Sequence, residues 1–378
     1  MGAGQRAGWI RSVRITAEYM ESGNEMMTIE ILREQIHPAD EQSMELAKAR
    51  WMSVAKPLFS LGKLEDAVIR MAGMKRTADY ELKKKGLIIM CADNGVVVEG
   101  VTQTGQEVTA VVADNFTHNA ASTSIMANVA GVDVFPVDIG MVTDVPSVTK
   151  AGKKVAYGTK NFAEEPAMTR EEVWEAVETG IQIVKELSEQ GYSILATGEM
   201  GIGNTTTSSA VCAVLLGKPV PEVTGKGAGL TSKGVEHKIH VIEDAIALHQ
   251  PDPGDVIDVL SKIGGLDIAG LTGVYLGGAL YHVPIVIDGF ISSTAALCAS
   301  RMVPASADYM IPSHVSGEPG GQMLLEELHV SPFLICNMCL GEGSGAVAVM
   351  PVLEMGLEVY RKMSTFDDIQ IEKYKVLK

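Results

Sequence analysis

Short, continuous apolar runs alternate with helical stretches through most of the chain, and this alternation limits the possible folds more than any other feature. Apolar runs without interspersed polar residues are typical of strands buried on both faces, and helices that connect such strands make the sheet parallel. The pattern therefore predicts an α/β fold, a Rossmann-like parallel sheet with helices on both faces. The runs lie at 87–92, 132–139, 193–197, 283–287 and 309–311.

The clearest predicted helix spans residues 170–190. Thr169 and Glu172 have the spacing of a capping box at its start, and Gly191 follows as a stop signal. Apolar residues recur every three or four positions, as one buried face of a helix requires. They are Val173, Val177, Ile181, Val184 and Leu187.

The remaining segments suggest a division into domains. Residues 1–26 lack apolar periodicity, and we expect a leader outside the core. Residues 27–85 are predicted to be the helices of a small domain, and 86–353 the Rossmann-like catalytic domain. The charged segment 354–378 is predicted to be a helix that joins the small domain.

Composition excludes several classes of protein. The formal net charge of −16 disfavours nucleic-acid binding, because phosphate backbones would be repelled. No apolar run approaches the ~20 residues of a membrane span, and no signal-peptide pattern is present. Five cysteines suit a reducing cytoplasm. Cys336 and Cys339 form an isolated C-x-x-C pair, which we expect to be buried and reduced rather than to bind metal.

Polar, glycine-rich turns follow the predicted strands. In an open parallel sheet, ligands bind beyond the carboxyl ends of the strands. Turns from distant parts of the chain are therefore expected to converge on one cleft. They lie at 92–95, 197–206, 288–293 and 313–318, with a fifth at 340–345.

The turn at 201–206, Gly-Ile-Gly-Asn-Thr-Thr, leads into a helix rich in alanine and valine. Its glycines allow the backbone to approach an anion, and the N–H groups and hydroxyls beyond them can hold a phosphate. An ordinary capped turn explains the same residues equally well. Thr206 stands where a dinucleotide fingerprint has its third glycine, so a general dinucleotide-binding enzyme is a disfavoured alternative.

Two glutamates are candidates for proton transfer. Glu342 lies between two glycines, and Glu199 lies in a comparable turn. Desolvation at a cleft would raise the pKa of such a carboxyl toward the range of a general base, although a solvated or capping role is the alternative for each. Lys238 could reach a phosphate from a helix predicted at 235–247, but a solvated surface lysine is the better local interpretation. His314 could contact a ligand or only order its loop.

Several motifs together resemble one family, that of nicotinate-nucleotide:dimethylbenzimidazole phosphoribosyltransferase, and the resemblance runs from about Leu87 to Leu353. The most specific are Met-Gly-Ile-Gly-Asn-Thr-Thr at 200–206, Asp-Gly-Phe-Ile-Ser at 288–292 and Leu-Gly-Glu-Gly-Ser-Gly-Ala at 340–346. Ala-Asp-Asn-Gly-Val at 92–96, Gln-Glu-Val-Thr at 106–109 and Ser-His-Val-Ser at 313–316 add support.

The resemblance implies a reaction and an assembly. Nicotinate mononucleotide and the aromatic base 5,6-dimethylbenzimidazole would give α-ribazole phosphate and nicotinate, with inversion at the anomeric carbon. Both substrates are small molecules, and no metal or redox cofactor is expected. The family implies a homodimer, with a heterodimer with a paralogue as the alternative, and the composition predicts a cytoplasmic protein.

The resemblance also implies roles for particular residues. Glu342 matches the general base that removes the proton of the acceptor. Glu199, Gly201 and Lys238 match positions associated with the nicotinate nucleotide. Gly203, Gly289 and Ser316 are expected to contact the phosphate. The remaining expected substrate-binding residues are Asn204, Thr205, His314, Thr102 and Asn94.

This chain departs from the family at four places. Asn94 replaces a usual histidine, and Cys339 replaces a usual arginine. Residues 101–105 lack an aromatic-proline pair, and Gly-Leu-Asp at 265–267 replaces Gly-Phe-Glu. The pattern predicts a retained nucleotide half and an altered acceptor half. A phenolic acceptor, or a non-catalytic partner subunit of a heterodimer, are therefore alternatives to the benzimidazole reaction.

Overall fold

A six-stranded parallel sheet forms the centre of the computed structural model, which describes residues 27–150 and 154–375. Five strands confirm the predicted runs within a few residues, whereas the third, of sequence Thr-Lys, has no apolar run to reveal it. The prediction for residues 1–26 lies outside the described residues. The strands are β1 (Lys85–Ala92), β2 (Asp133–Gly140), β3 (Thr149–Lys150), β4 (Ile194–Met200), β5 (Ile285–Ile287) and β6 (Met310–Pro312).

Helices cover both faces of this sheet, as the apolar runs predict, and two 3-10 helices lie at Gly95–Glu99 and Pro304–Tyr309. The α-helices of the described residues are α1 (Ile29–Gln35), α2 (Glu41–Ser53), α3 (Lys63–Lys75), α4 (Glu107–Thr117), α5 (Ser122–Ala130), α6 (Arg170–Glu189), α7 (Asn204–Leu216), α8 (Val220–Val223), α9 (Ser232–His249), α10 (Val256–Ile263), α11 (Leu266–Leu280), α12 (Phe290–Met302), α13 (Gly320–Glu327) and α14 (Ser344–Lys362).

Helix α6 confirms the prediction for 170–190 in detail. Thr169 and Glu172 form the capping box, and the predicted apolar stripe is buried. The helix packs closely on α11 because glycines face the contact. A Cβ atom at Gly180 would lie 2.1 Å from the carbonyl oxygen of Gly270, so the two helices meet backbone to backbone.

Helices from the two ends of the chain contact each other. The rings of Trp51 and Tyr360 pack edge to face with centroids 5.2 Å apart. The predicted helical segments were too long: α3 ends at Lys75, and the C-terminal helix ends at Lys362. Thr365 then pairs with Val54 as an antiparallel bridge, so the described residues after 362 are extended and turn backbone. The division into two domains stays a prediction.

The strand order places the site. It is β3-β2-β1-β4-β5-β6, so the chain reverses direction across the sheet between β1 and β4. Turns that leave two such strands diverge and open a crevice at the carboxyl edge. The glycine-rich turns after β1, β4, β5 and β6 all lie at this edge. Within the described ranges, no helix combines the length and the apolarity needed to cross a membrane.

Candidate active site

A cavity of about 190 Å³ opens at the carboxyl edge of the sheet. Its walls come from the turns after β4, β5 and β6 and from the turn before α14. Four of the five predicted turns therefore converge, and the fifth, after β1, lies beneath the β4 turn. The predicted residues that line the cavity are Glu199, Gly201, Asn204, Thr205, Gly289, His314, Ser316 and Glu342.

Glu342 projects from a turn with an unusual backbone. Gly341, Glu342 and Gly343 all have positive φ angles, of +83°, +62° and +88°. A non-glycine residue rarely adopts this conformation, and such positions cluster at functional sites. Strand β4 makes room for the turn at Gly198, where a Cβ atom would lie 2.5 Å from the carbonyl oxygen of Glu342.

The Glu342 carboxyl is mostly enclosed. Burial raises its pKa, and the neighbouring polar groups of Thr123 oppose the rise. Its Oε2 atom is buried and has no hydrogen-bond partner among the described residues. A carboxylate with a raised pKa and a free oxygen is suited to accept a proton from a ligand.

Asp288, directly after β5, fixes this turn. Its carboxylate accepts hydrogen bonds from the N–H groups of Gly343 (3.1 Å), Gly345 (2.7 Å) and Ala346 (3.1 Å). Burial raises the pKa of Asp288, while His314 and these N–H groups oppose the rise. Asp288 thus caps α14, whose own N-cap, Gly343, has no side chain to do so. No role was predicted for Asp288 from sequence, although an acid directly after a buried run was a usable signal.

His314 packs behind this cap rather than in front of it. Its Nδ1 atom lies 4.0 Å from Asp288 Oδ1 and 3.0 Å from Ser313 Oγ. A Cβ atom at Gly345 would lie 1.9 Å from His314 Nδ1, so a glycine is required there. His314 therefore both lines the cavity and orders the β6 turn.

Glu199 lies in a buried carboxyl cluster. It accepts a hydrogen bond from the N–H of Glu342 at 3.3 Å. The Asn204 amide donates to Glu199 and also to Asp267, the latter at 3.1 Å. Burial, followed by the charge of Asp267, raises the pKa of Glu199 well above its usual value. Burial also raises the pKa of Asp267, to about 6. Asp267 was named from sequence only as a departure, because burial beside Glu199 depends on the tertiary fold.

Lys238 lies one layer behind the cavity wall. It is fully buried, and its Nζ donates to Thr205 Oγ1 at 2.9 Å. Burial lowers its pKa to about 8, and Glu318 opposes that change. The local interpretation as a solvated lysine was wrong, because the 225–229 loop folds over Thr205. Glu318 holds this loop by accepting the N–H of Gly227 at 3.1 Å.

Helix N-termini face the same space. Helix α7 begins after Gly203 and α12 after Gly289, and neither N-cap has a side-chain oxygen. Their first N–H groups are suited to bind an anion. Ser292, in the first turn of α12, lines the cavity, and its buried hydroxyl has no partner among the described residues.

Besides Lys238, three predicted residues do not line the cavity. Gly203 packs against Asn94 and Val97 under the β4 turn. The Asn94 amide donates to the carbonyl of Ile202 at 3.4 Å. The Thr102 hydroxyl donates to the carbonyl of Thr104 at 2.7 Å within a loop. Direct ligand contact by these three residues finds no support in this geometry.

The prediction that the C-x-x-C pair is buried was wrong. Cys336 and Cys339 are both exposed, whereas Cys91, Cys212 and Cys298 are buried. The segment after Leu334 runs along the surface, where the carbonyl of Met338 accepts the N–H of Gly317. Cys339 therefore reaches the rim of the cavity.

Comparison with known proteins agrees with this geometry. A model of a family described as phosphoribosyltransferase matches residues 36–371. A nicotinate-nucleotide–dimethylbenzimidazole phosphoribosyltransferase from Ruminiclostridium cellulolyticum is 45% identical over 351 residues, 93% of this chain and all of the relative. One from Clostridium acetobutylicum is 45% identical over 352 residues, again 93% of this chain and all of the relative.

Solved structures give the same result. The crystal structure of CobT from Thermus thermophilus matches with a TM-score of 0.83 and 35% identity, covering 88% of this chain and all of that chain. The chain belongs to the nicotinate-nucleotide–dimethylbenzimidazole phosphoribosyltransferase family.

Proposed function

We propose that this protein transfers ribose 5-phosphate from nicotinate mononucleotide to the lower-ligand base of a cobamide, and releases nicotinate. The observation that carries the proposal is the content of one cavity. It combines the Glu342 carboxyl, whose Oε2 atom has no hydrogen-bond partner in the described part of the chain, with an anion-binding end formed by Thr205, Gly289 and Ser316. A phosphorylated ribose and an acceptor that loses one proton require these two features.

The protein needs to do little more than position the two reactants and supply one base. The bond between the anomeric carbon and the pyridinium nitrogen breaks, and its electron pair neutralises the nitrogen of the departing nicotinate. A lone pair of the acceptor nitrogen attacks the opposite face of the same carbon, which gives the α-linkage. Glu342 takes the proton of the acceptor. Correct placement of two bound reactants supplies much of the rate.

The other buried groups have supporting roles in this proposal. Lys238 attracts the phosphate through Thr205, because a buried cation gains most from an anionic ligand. Burial strongly raises the pKa of Glu199, which favours its protonated form, and a protonated carboxyl can donate a hydrogen bond to the nucleotide. Asp288 keeps Glu342 in place through the α14 cap.

Two of the departures from the family pattern lie at one place, which motivates a test of acceptors other than benzimidazoles. Asn94 and Asp267, two of the departures from the family pattern, lie side by side. A Cβ atom at Gly265 would be 2.7 Å from Asn94 Oδ1 and 2.6 Å from Asp267 Oδ1. Both are buried beneath the β4 turn, so the changes belong to one location. A phenolic acceptor is the second candidate.

Nicotinate release tests both candidates. The purified chain is mixed with nicotinate mononucleotide and with dimethylbenzimidazole, benzimidazole, adenine, phenol or p-cresol in turn. We expect release with at least one acceptor and its loss in Glu342→Gln. Reaction with benzimidazoles alone would exclude the altered-acceptor hypothesis. A folded chain that binds the nucleotide and reacts with no acceptor would instead be a partner subunit.

We further propose a homodimer. Val111 on α4 and Ile125 and Val129 on α5 leave apolar side chains 61%, 50% and 86% exposed. A second copy that covers this surface would remove them from water. Sedimentation equilibrium of the chain alone should give twice the monomer mass, and a monomer that dimerises only with a paralogue would support the heterodimer. The cytoplasmic location stays a prediction.

A further inference from the structure

Two buried carboxyls share the side-chain amide of Asn204. Its Nδ2 group donates one hydrogen to Glu199 Oε2 and the other to Asp267 Oδ2, at 3.1 Å for the second bond. Glu199 lies at the end of β4 and Asp267 in the first turn of α11. An amide nitrogen carries two hydrogens, so this Glu199–Asn204–Asp267 bridge uses both. Burial, and then the charge of Asp267, raises the pKa of Glu199, as expected for two carboxyls held close together.

The Asp267 end of the bridge is fixed by the fold. Asp267 is fully buried and does not line the cavity. Its second oxygen, Oδ1, accepts the N–H of Ile268 at 3.0 Å. Gly201 leaves room for the side chain, because a Cβ atom there would lie 3.1 Å from Asp267 Oδ2. Asp267 can therefore affect a ligand only through another side chain.

The Glu199 end of the bridge reaches the turn that carries the candidate base. Glu199 lines the cavity, and its Oε1 atom accepts the N–H of Glu342 at 3.3 Å. A side chain at Gly341 would collide with the same oxygen, so the turn packs directly on the Glu199 carboxyl. A displacement of this carboxyl would therefore be passed to the backbone of Glu342.

We propose that Asp267 is a positioning residue, which fixes the Glu199 carboxyl through the Asn204 amide and thereby the turn of Glu342. The inference rests on the proposed function, in which Glu199 contacts the nucleotide and Glu342 is the base. Rigid support matters at this place, because a misplacement of about 1 Å can cost about 10²-fold in rate.

The competing interpretation is a purely structural role, in which Asp267 only accepts an N–H group at the start of α11. The bond to Asn204 would then be incidental, and substitutions of Asp267 and Asn204 would have independent effects that add. If Asp267 acts through Asn204, loss of the Asn204 amide makes a substitution of Asp267 ineffective at the turn. A double-mutant cycle separates these two cases.

The cycle consists of Asp267→Ala, Asn204→Ala and the double variant. Asp267→Ala removes both acceptor oxygens, and Asn204→Ala removes the bridging amide. Asp138→Ala is the matched control. Asp138 is also fully buried, and its Oδ1 atom accepts the N–H of Met141 at 3.0 Å, away from the cavity lining.

Two readouts follow the turn and the reaction. The first is the hydrogen-exchange rate of the Glu342 backbone N–H, measured by NMR on protein labelled with 15N-glutamate and assigned by the loss of its signal in Glu342→Gln. The second is kcat/KM of nicotinate release at limiting nicotinate mononucleotide. Urea unfolding of each variant separates a local effect on the turn from a change in overall stability.

In Asp267→Ala we expect the Glu342 N–H to exchange about tenfold faster or more, and kcat/KM to fall about ten- to hundredfold, because Glu199 is no longer held against the turn. Asn204→Ala should show at least these changes, and adding Asp267→Ala to it should change either readout less than about twofold. Asp138→Ala should lower the free energy of unfolding and keep the Glu342 exchange rate within about twofold of the wild type, because a turn exchanges by local opening. Asp267→Ser, whose hydroxyl is too short to reach Asn204, replaces Asp267→Ala if the latter does not fold.

Full additivity in the cycle would overturn the inference, because Asp267 would then act independently of Asn204. So would an unchanged exchange rate of the Glu342 N–H in Asp267→Ala, or an equal acceleration in Asp138→Ala. Failure of the proposed function is a separate result, because a wild type that releases no nicotinate with any acceptor still gives the exchange rates. The exchange cycle alone then decides whether Asp267 positions the Glu342 turn.

Discussion

Glu342 holds a backbone conformation that glycine would adopt at lower cost. A side chain with a positive φ angle costs roughly 1–2 kcal/mol, and the greater entropy that glycine loses on folding offsets roughly half of this. We expect Glu342→Gly to leave the free energy of unfolding unchanged or up to about 1 kcal/mol higher. Nicotinate release should fall by about 10²-fold or more, because the base is gone. Urea unfolding and the release assay measure both.

Gln250 offers a matched control for that substitution. It has a φ angle of +46° at the end of α9, away from the cavity lining. Gln250→Gly should change stability in the same direction and leave nicotinate release unchanged. A large loss of stability in Glu342→Gly would mean that the carboxylate supports the fold, which contradicts a strained functional turn.

Lys238 should make stability depend on pH in an unusual direction. Its pKa of about 8, in place of 10.5, corresponds to a destabilisation of roughly 3 kcal/mol while the amine is charged. Between these two pH values the unfolded chain binds the extra proton, so this penalty shrinks as pH rises and vanishes above the higher value. Lys238→Met should therefore be more stable than the wild type at pH 7, with a smaller advantage at pH 9.5.

Denaturant unfolding at the two pH values, with and without inorganic phosphate, measures this effect. Phosphate should stabilise the wild type and have little effect on Lys238→Met, because the anion loses its buried cation. Lys160→Met is the control, since that lysine is exposed on the surface. Stability differences that do not change with pH would show that Lys238 is not strained by burial.

At the scale of elements, Asp288 connects β5 to α14. Asp288→Asn replaces one of its two acceptor oxygens with an amide that cannot accept the α14 N–H groups. We expect a loss of about 2–3 kcal/mol in the free energy of unfolding, since buried donors are left without partners. Nicotinate release should fall as well, because the Glu342 turn loses its anchor.

The N-cap of α2 provides the comparison for that loss. Asp40 accepts the N–H of Ser43 at 2.8 Å, far from the cavity lining. Asparagine is as good an N-cap as aspartate, so Asp40→Asn should cost only a few tenths of a kcal/mol. Equal losses in the two variants, measured by thermal or urea unfolding, would argue against the special role of Asp288.

Helices and strands whose ends are marked by residues nearby in the sequence were predictable from sequence. The capping box at Thr169, the apolar stripe of α6 and the buried runs of five strands depend on neighbours along the chain. The strand ends also placed the glycine-rich turns correctly. The third strand and the extended backbone after Lys362 depend on partners distant in sequence, β2 and Val54, which no local pattern reveals.

The residues of the candidate site also divide into those marked by local motifs and those that depend on distant contacts. Glu342 and Glu199 stand in glycine-rich turns, and their motifs drew attention to them. Lys238 was predicted locally as a surface residue because its burial depends on the 225–229 loop and Thr205. Tertiary contact, rather than residue type, separates these cases.

At the scale of the whole molecule, charge should affect association. The formal net charge is −16, and nicotinate mononucleotide is also an anion. Like charges slow encounter, and salt screens them over about 10 Å at 0.1 M. We expect kcat/KM at low substrate to rise about two- to fivefold between roughly 10 and 150 mM ionic strength. Salt titration of nicotinate release measures this, with a neutral acceptor held at saturation.

An unchanged or falling kcat/KM would contradict the expectation and would show that the field near Lys238 and the helix ends dominates. The control is the unfolding midpoint across the same salt series, which separates a change in encounter from a change in stability.

A small tilt of helix α14 would displace the Glu342 turn at its start. Its 19 residues span about 28 Å at 1.5 Å per residue. One end follows the Glu342 turn, and the other packs through Tyr360 on Trp51 of α2. A tilt of about 2° at the distant end moves the near end by about 1 Å, and a misplacement of that size can cost about 10²-fold in rate. We therefore expect substitutions in the N-terminal helices, far from the reacting atoms, to change the turnover rate.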